Sequence, residues 1–328
     1  MAELRMVEAL NMALDEALAG DERVCLLGQD IGVNGGVFRV TRGLHEKYGG
    51  DRVMDTPLAE CGIIGTAVGM AVYGMKPVAE IQFSGFTMQA FDQIEQNMAR
   101  MRNRTQGTYE ISMVMRTPYG GGIRAVEHHS ESREAYWAHT PGLKVVIPSG
   151  PRNARALLAS AIADPDPVIF YEPKSIYRAF REEVPEEPET MEIGRAEVVR
   201  SGTDLTIISY GAMMRPAREA VDDLAELHGI DAELIDLLTV SPLDTKTLVE
   251  SVTRTGRCIV VHEGHRTCGI GSEVVARLAE SDAFEHLTAP IRRLTAPDLP
   301  YPFLQVEQHF LPDGDEIVGA SRELMDWA

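Results

Sequence analysis

The sequence predicts an α/β protein of two doubly wound domains on mainly parallel sheets, and three observations lead there. Short apolar runs of strand length alternate with longer runs of helical period almost throughout. The chain has 328 residues, enough for two domains of ordinary size. An acidic, proline-bearing stretch from Arg181 to Glu189 (REEVPEEPE) breaks the alternation once. Domains are therefore expected at residues 1–180 and 192–328, joined by a solvated linker at 181–191.

The elements follow in order. Residues 1–20 read as an amphipathic helix carrying acids rather than as an export signal, so a soluble, cytoplasmic protein is expected. VCLLG (24–28) is a strand ending at Gln29-Asp30-Ile31-Gly32, a loop at the carboxyl end where open α/β sheets bind ligands. A short helix near Thr41–Tyr48 and the short strand RVMDT lead to the stretch DTPLAECGIIGTAVGMAVYG (55–74). KPVAEIQF (76–83) is a strand with Gln82 near its end, followed by the turn Ser84-Gly85-Phe86. A helix over about 88–102 carries Phe91, Ile94, Met98 and Met101 as a core or subunit stripe. Strand 111–115 precedes a glycine loop, Pro118–Gly122, which lacks the Lys-Ser/Thr ending of a nucleotide loop, and then Glu127-His128-His129-Ser130. A helix at 132–138, the strand LKVVIP, a helix at 153–163 and the strand PVIFYEP complete the first half. Beyond the linker, strands at 205–210, 232–237 and 258–262 alternate with helices at 215–228, 244–253 and 271–280.

Composition narrows the function. A net charge of -19 excludes nucleic acid and anionic membranes as natural partners. The four cysteines, Cys25, Cys61, Cys258 and Cys268, have no paired spacing and are expected as reduced thiols. Gly269-Ile270-Gly271 lacks the third glycine and the distal acid of a dinucleotide fingerprint. His262, His265 and Cys268 are spaced three apart but lack a second ligand pair for zinc.

The central stretch places one carboxylate, Glu60, at the start of a helix that is apolar almost all round and carries four glycines. Such a helix is expected to be buried. Glu60 is then either a helix-start acid favoured by the dipole or a desolvated acid of raised pKa with a catalytic task. Spacing alone leaves both readings open.

Taken together, the central stretch, the glycine loop and the histidine pair resemble a known family. The chain is similar to the β subunits of thiamine-diphosphate-dependent 2-oxo acid dehydrogenases, the decarboxylating first component of pyruvate and branched-chain 2-oxo acid dehydrogenase complexes. The resemblance runs end to end through NGGVFRVTRGL, DRVMDTPLAECGIIGTAVGMAVYG, AEIQFSGF, FDQI, HSES, PGLKVVIPS, DPVIFYEP, YRAFREEVPEE, DLTIISYGAM, ELIDLLTVSPLD and APDLPYPF. Acetoin dehydrogenase β subunits share these motifs, and a non-catalytic scaffold subunit is the rival of another class.

The resemblance implies a pyrimidine-binding domain followed by a transketolase C-terminal-like domain. It implies that Glu60 contacts the aminopyrimidine of thiamine diphosphate, that Leu58, Gln82 and Phe86 surround that ring, and that His129 is the active-site histidine of acyl transfer to lipoate. Phe86 replaces the Tyr of some relatives. A structural potassium ion is implied on the main-chain oxygens of Ile111, Met113, Val114, Ala161, Asp164 and Asp166, with Asp166 standing where relatives often have Asn. The Gly-Asp-Gly…Asn stretch that anchors diphosphate through Mg2+ is absent, and Asp313-Gly314-Asp315 is only a lookalike. The metal is thus expected on an α subunit within an α2β2 heterotetramer. A lipoyl-acyltransferase core is the further partner, with Asp298 and the acids at 323–326 as docking contacts.

Overall fold

The computed structural model describes residues 1–327. The first half runs β1 (Ala2–Leu4), α1 (Met6–Gly20), β2 (Val24–Gly28), α2 (Leu44–Tyr48), β3 (Val53–Asp55), α3 (Glu60–Val72), β4 (Lys76–Glu80), α4 (Met101–Arg104), β5 (Val114–Tyr119), α5 (Glu134–Ala138), β6 (Lys144–Val146), α6 (Pro151–Ala163), β7 (Val168–Pro173) and β8 (Glu182–Val184). The second runs β9 (Glu197–Arg200), β10 (Leu205–Ser209), α7 (Met214–His228), β11 (Ala232–Asp236), β12 (Thr239–Ser241), α8 (Thr245–Thr255), β13 (Cys258–His265), α9 (Ile270–Ala279), α10 (Ala283–His286), β14 (Arg292–Ala296) and α11 (Gly314–Met325).

Seven strands form the larger sheet, in the order β12-β6-β7-β5-β4-β2-β3, parallel except where β12 joins antiparallel to β6. Helices cover both faces, which is why β2, β5 and β7 are buried at every residue. Leu26 packs with α1 and α6 on one face, and its neighbour Leu27 packs with α3 on the other. The second sheet has the order β14-β13-β10-β11-β9, parallel but for β9. The α/β architecture of two mainly parallel sheets is as the sequence leads one to expect.

Local departures have identifiable causes. The single helix expected over 88–102 is broken into a 3₁₀ segment, Ser84–Ala90, a π-helical stretch, Gln93–Met98, and α4. Ile94 and Met98 are buried while Phe91 is half exposed, so the stripe is kept by widening the turn. The stretch 181–191 is largely exposed, as expected of a solvated linker, and is also pinned to the first domain. Its residues Glu182–Val184 form β8 against β1, Arg152 pairs with Glu189 at 2.8 Å, and Arg155 donates to the carbonyls of Pro185 and Glu186. β12 crosses the expected boundary in the other direction, extending the first sheet from the second half of the sequence. All four cysteines are free. No helix among the described residues is long and apolar enough to cross a membrane.

Candidate active-site rim

Four adjacent strands, β5-β4-β2-β3, run parallel, so the loops leaving their carboxyl ends gather on one rim, the ordinary place for a ligand in such a sheet. These loops carry most of the residues singled out in the sequence. After β2, Asp30 and the carbonyl of Gln29 accept from the Gln82 side-chain amide at 3.3 and 3.4 Å. After β3, Asp55 accepts from Gly32 and Val33 N–H, tying that loop to its neighbour. Leu58 follows, 70% exposed, and Glu60 opens α3.

Glu60 is half-buried, not enclosed as expected, and its carboxylate accepts no hydrogen bond as a cap, a position held by Ala59. The cause lies in α3 itself. Ile63, Ile64, Ala67, Val68 and Ala71 face the core, whereas Cys61, Gly62, Thr66 and Gly69 form an exposed face that ends at Tyr73, which is 92% exposed. Small residues score as apolar, but here they coat a surface.

After β4, Phe86 is half-buried and meets Phe83 edge-on at 5.7 Å between centroids. After β5, the loop returns with His129, whose ring lies 4.3 Å from Phe83 and 5.5 Å from Phe86. The structure thus brings His129, Phe86 and Phe83 together as one aromatic cluster. Leu58 and Glu60, at the mouth of α3, share no hydrogen bond with it among the described residues. Burial, helped by His128 and Lys174, lowers the His129 pKa. His128 is exposed. A half-exposed ring, an exposed leucine and an unpartnered carboxylate on one rim suit a flat heteroaromatic ligand that offers a nitrogen to the acid.

The positions named for potassium fall into two segments that the fold sets side by side. Met113 carbonyl accepts from Val168 N–H at 3.0 Å, bringing the start of β5 against the loop that ends α6. Ala161 lies in the last turn of α6, and the residue four on is Pro165, which has no N–H to give its carbonyl. The side chains of Asp164 and Asp166 already bind Lys144, at 2.7 and 3.3 Å. Main-chain oxygen is thus what this loop has to offer. Among the described residues no group of three or more His, Cys, Asp or Glu side chains is placed to hold a metal ion. His262 is instead buried, its Nε2 accepting from Gly271 N–H at 3.2 Å, and His265 bonds the Leu299 carbonyl. Asp298 is used locally by Thr267.

Beneath and beside the rim lie charged groups that the sequence reading did not single out. Arg116 on β5 bonds Glu80 on β4 at 2.9 Å and Glu172 on β7 at 2.7 Å, all three buried. Where the two domains meet, Lys174, Glu263, Glu307 and Glu134 are buried with Tyr119, Tyr210 and Tyr301. Burial pushes the Glu263 carboxyl up and the Lys174 ammonium down. Ser149 donates to buried Asp236, whose pKa burial raises to about 7. The available signal was a single charge inside an apolar strand, as in VMRTPY, VIFYEP and CIVVHEGH. A cleft of about 800 Å³ between the domains, lined by Phe91, Glu134 and His265 among others, contains none of the rim residues.

Comparison with known proteins decides the family. Residues 2–179 match the transketolase pyrimidine-binding domain and residues 194–317 the transketolase C-terminal domain. Relatives named pyruvate dehydrogenase E1 component subunit beta, from Staphylococcus epidermidis and Bacillus subtilis, are 49% and 48% identical over 327 residues, covering 100% of each chain. The chain belongs to the family of pyruvate dehydrogenase E1 component β subunits. A solved split-gene transketolase, described as an inactive β4 tetramer, shares the fold with a TM-score of 0.81 at 24% identity, over 99% of both chains.

Proposed function

We propose that the chain is the β subunit of an α2β2 first component of a 2-oxo acid dehydrogenase, decarboxylating pyruvate and passing the acyl group to a lipoyl-acyltransferase. The observation that carries this reading is the rim: Glu60, without a hydrogen-bond partner, stands half-buried at the end of an exposed helix face made of small residues. Small residues allow close helix approach, so a second chain laid on α3 would remove water from Glu60 and complete a site that one chain leaves open. In this reading that chain is the α subunit and holds Mg2+ and the diphosphate.

Thiamine diphosphate, when bound, supplies the nucleophilic carbon and the electron sink that decarboxylation of a 2-oxo acid requires. Glu60 would accept or donate at the pyrimidine nitrogen and hold a proton there. Leu58 and Phe86 would pack against the ring, and Gln82, oriented by Asp30, would meet its edge. His129, seated on Phe83 and Phe86, would as imidazolium hand a proton to the lipoyl sulfur released when its disulfide opens and be left as the neutral ring. Potassium on the carbonyls of Ile111, Met113, Val114, Ala161, Asp164 and Asp166 would brace the loop between α6 and β7 against the start of β5. The acyltransferase core docks on the second domain, with the acids at 323–326 as contacts.

The test is Glu60→Ala in the enzyme assembled with its α chain. Assembly should survive while decarboxylation of pyruvate falls by roughly 10²-fold or more. Undiminished turnover would favour a scaffold subunit, and activity on acetoin or branched-chain 2-oxo acids in place of pyruvate would move the substrate assignment.

A further inference from the structure

The loop that carries His129 is gripped at its base from the other domain. Glu263, on β13, accepts from Gly121 N–H at 2.9 Å. Glu307, in the segment before α11, accepts from Gly122 N–H at 2.7 Å, from Arg124 N–H at 3.3 Å and from the Tyr301 hydroxyl at 2.9 Å. From the first domain, Lys174 donates to the Gly120 carbonyl, and Gly120 N–H donates to the Glu131 carbonyl at 3.2 Å, closing the loop on its far side. Both carboxylates are buried, Glu263 at 5% and Glu307 at 7% exposure.

The glycines are there because the grip is tight. Gly120 and Gly122 have φ of +83° and +82°, a Cβ on Gly120 would collide with the Glu263 carboxylate, and one on Gly121 would overlap the Tyr301 ring. Apolar side chains of similar size would join the domains at lower electrostatic cost. Carboxylates add something apolar contact cannot: a fixed hold on particular N–H groups, five to eight residues from His129. Each acid keeps one oxygen without a hydrogen-bond partner among the described residues, while its other oxygen is taken by the loop amides, with the Tyr301 hydroxyl also on Glu307.

We propose that Glu263 and Glu307 are positioning residues: from the second domain they grip the Gly121–Arg124 backbone and thereby fix His129 against Phe83 and Phe86. The inference rests on the reading of His129 given under Proposed function.

Two measurements on the enzyme assembled with its α chain test it: hydrogen–deuterium exchange over residues 118–132, and acyl transfer to a lipoyl domain alongside decarboxylation into an artificial electron acceptor. In Glu307→Ala the Gly122 and Arg124 amides should exchange roughly tenfold faster or more. Acyl transfer should fall about tenfold to a hundredfold, with decarboxylation held within about threefold. Glu307→Gln keeps a carbonyl oxygen in the accepting position and should restore both readings to within about threefold of the parent. Unchanged exchange in the alanine variant overturns the proposal, as does faster exchange with normal acyl transfer. Should Glu307→Ala fail to assemble, Tyr301→Phe, which removes both the hydroxyl that accepts from Gly122 N–H at 3.3 Å and the bond that holds the Glu307 carboxylate in place, should still speed the Gly122 amide by roughly twofold to threefold, and no change there overturns it too. His129→Gln separates the two readings: if it transfers acyl groups normally, the role given to His129 falls, and the exchange data alone decide whether the grip holds the loop.

Discussion

The rim at Glu60 and the interior around Arg116 both set carboxylates at the ends of parallel strands, and they treat them in opposite ways. Glu80 and Glu172 are buried and spent on Arg116, with the Tyr177 hydroxyl adding a 2.5 Å bond to Glu172. Glu60 is half-buried and has no such company. A charge inside a finished fold must be compensated by the fold itself. Glu60 is left to water at the edge of an exposed small-residue face, which is where the proposed partner chain would close over it.

That contrast can be broken from the interior side first. Arg116→Met leaves two buried carboxylates facing each other and should destabilise the chain by about 3–5 kcal/mol in urea unfolding. Adding Glu80→Gln and Glu172→Gln should recover much of that loss. If Arg116→Met alone is neutral, the ladder is not compensating its acids.

A smaller effect is pH-dependent. Burial, aided by Arg293, lowers the His262 pKa from 6.5 to about 4. The unfolded chain takes up the proton near pH 6.5 and the folded one only near 4. Stability is therefore complete above pH 6.5 and falls as pH drops through that window, by about 3 kcal/mol at pH 4. Unfolding of His262→Gln, compared with the parent between pH 7 and 4, should show a correspondingly shallower decline; parallel curves would remove His262 from the account.

The smallest effect sharpens the open side. A Cβ added to Gly69 meets nothing within 4 Å, so Gly69→Ala should stabilise the chain alone by about 1 kcal/mol through helix propensity. Gly69→Leu should leave the isolated chain folded yet weaken its association with an α chain, as read by size-exclusion chromatography. Normal assembly of the leucine variant would mean that the exposed face of α3 is not where the partner sits.

Much of this was legible in the residues. VCLLG is a strand at the positions read from its pattern, because a strand covered on both sides needs an unbroken apolar run. Gln82, Phe86 and His129 reach one rim because loops at strand ends converge. The orientation of α3 was not legible: glycine, alanine and threonine look apolar in a periodicity, yet suit a buried helix and a surface awaiting another helix equally well. Edge strands such as EVVR and RRLTA were missed since charges interrupt their apolar runs and few of their residues are fully buried. The π-helical turn at Gln93–Met98 was invisible because hydrophobic spacing fixes a face but not the hydrogen-bond register that presents it. The grip of Glu263 and Glu307 on Gly121 and Gly122 joins residues 142 and 185 positions apart, a distance over which local pattern says nothing.

β12 lends three residues from one half of the gene to the sheet of the other. A polypeptide cut at residue 191 would accordingly display the bare hydrogen-bonding margin of β6, an invitation to sticking and misassembly, while the remaining fragment would carry an orphaned ribbon. The two lobes are thus tied by the hydrogen bonds of a shared sheet as well as by the linker between them.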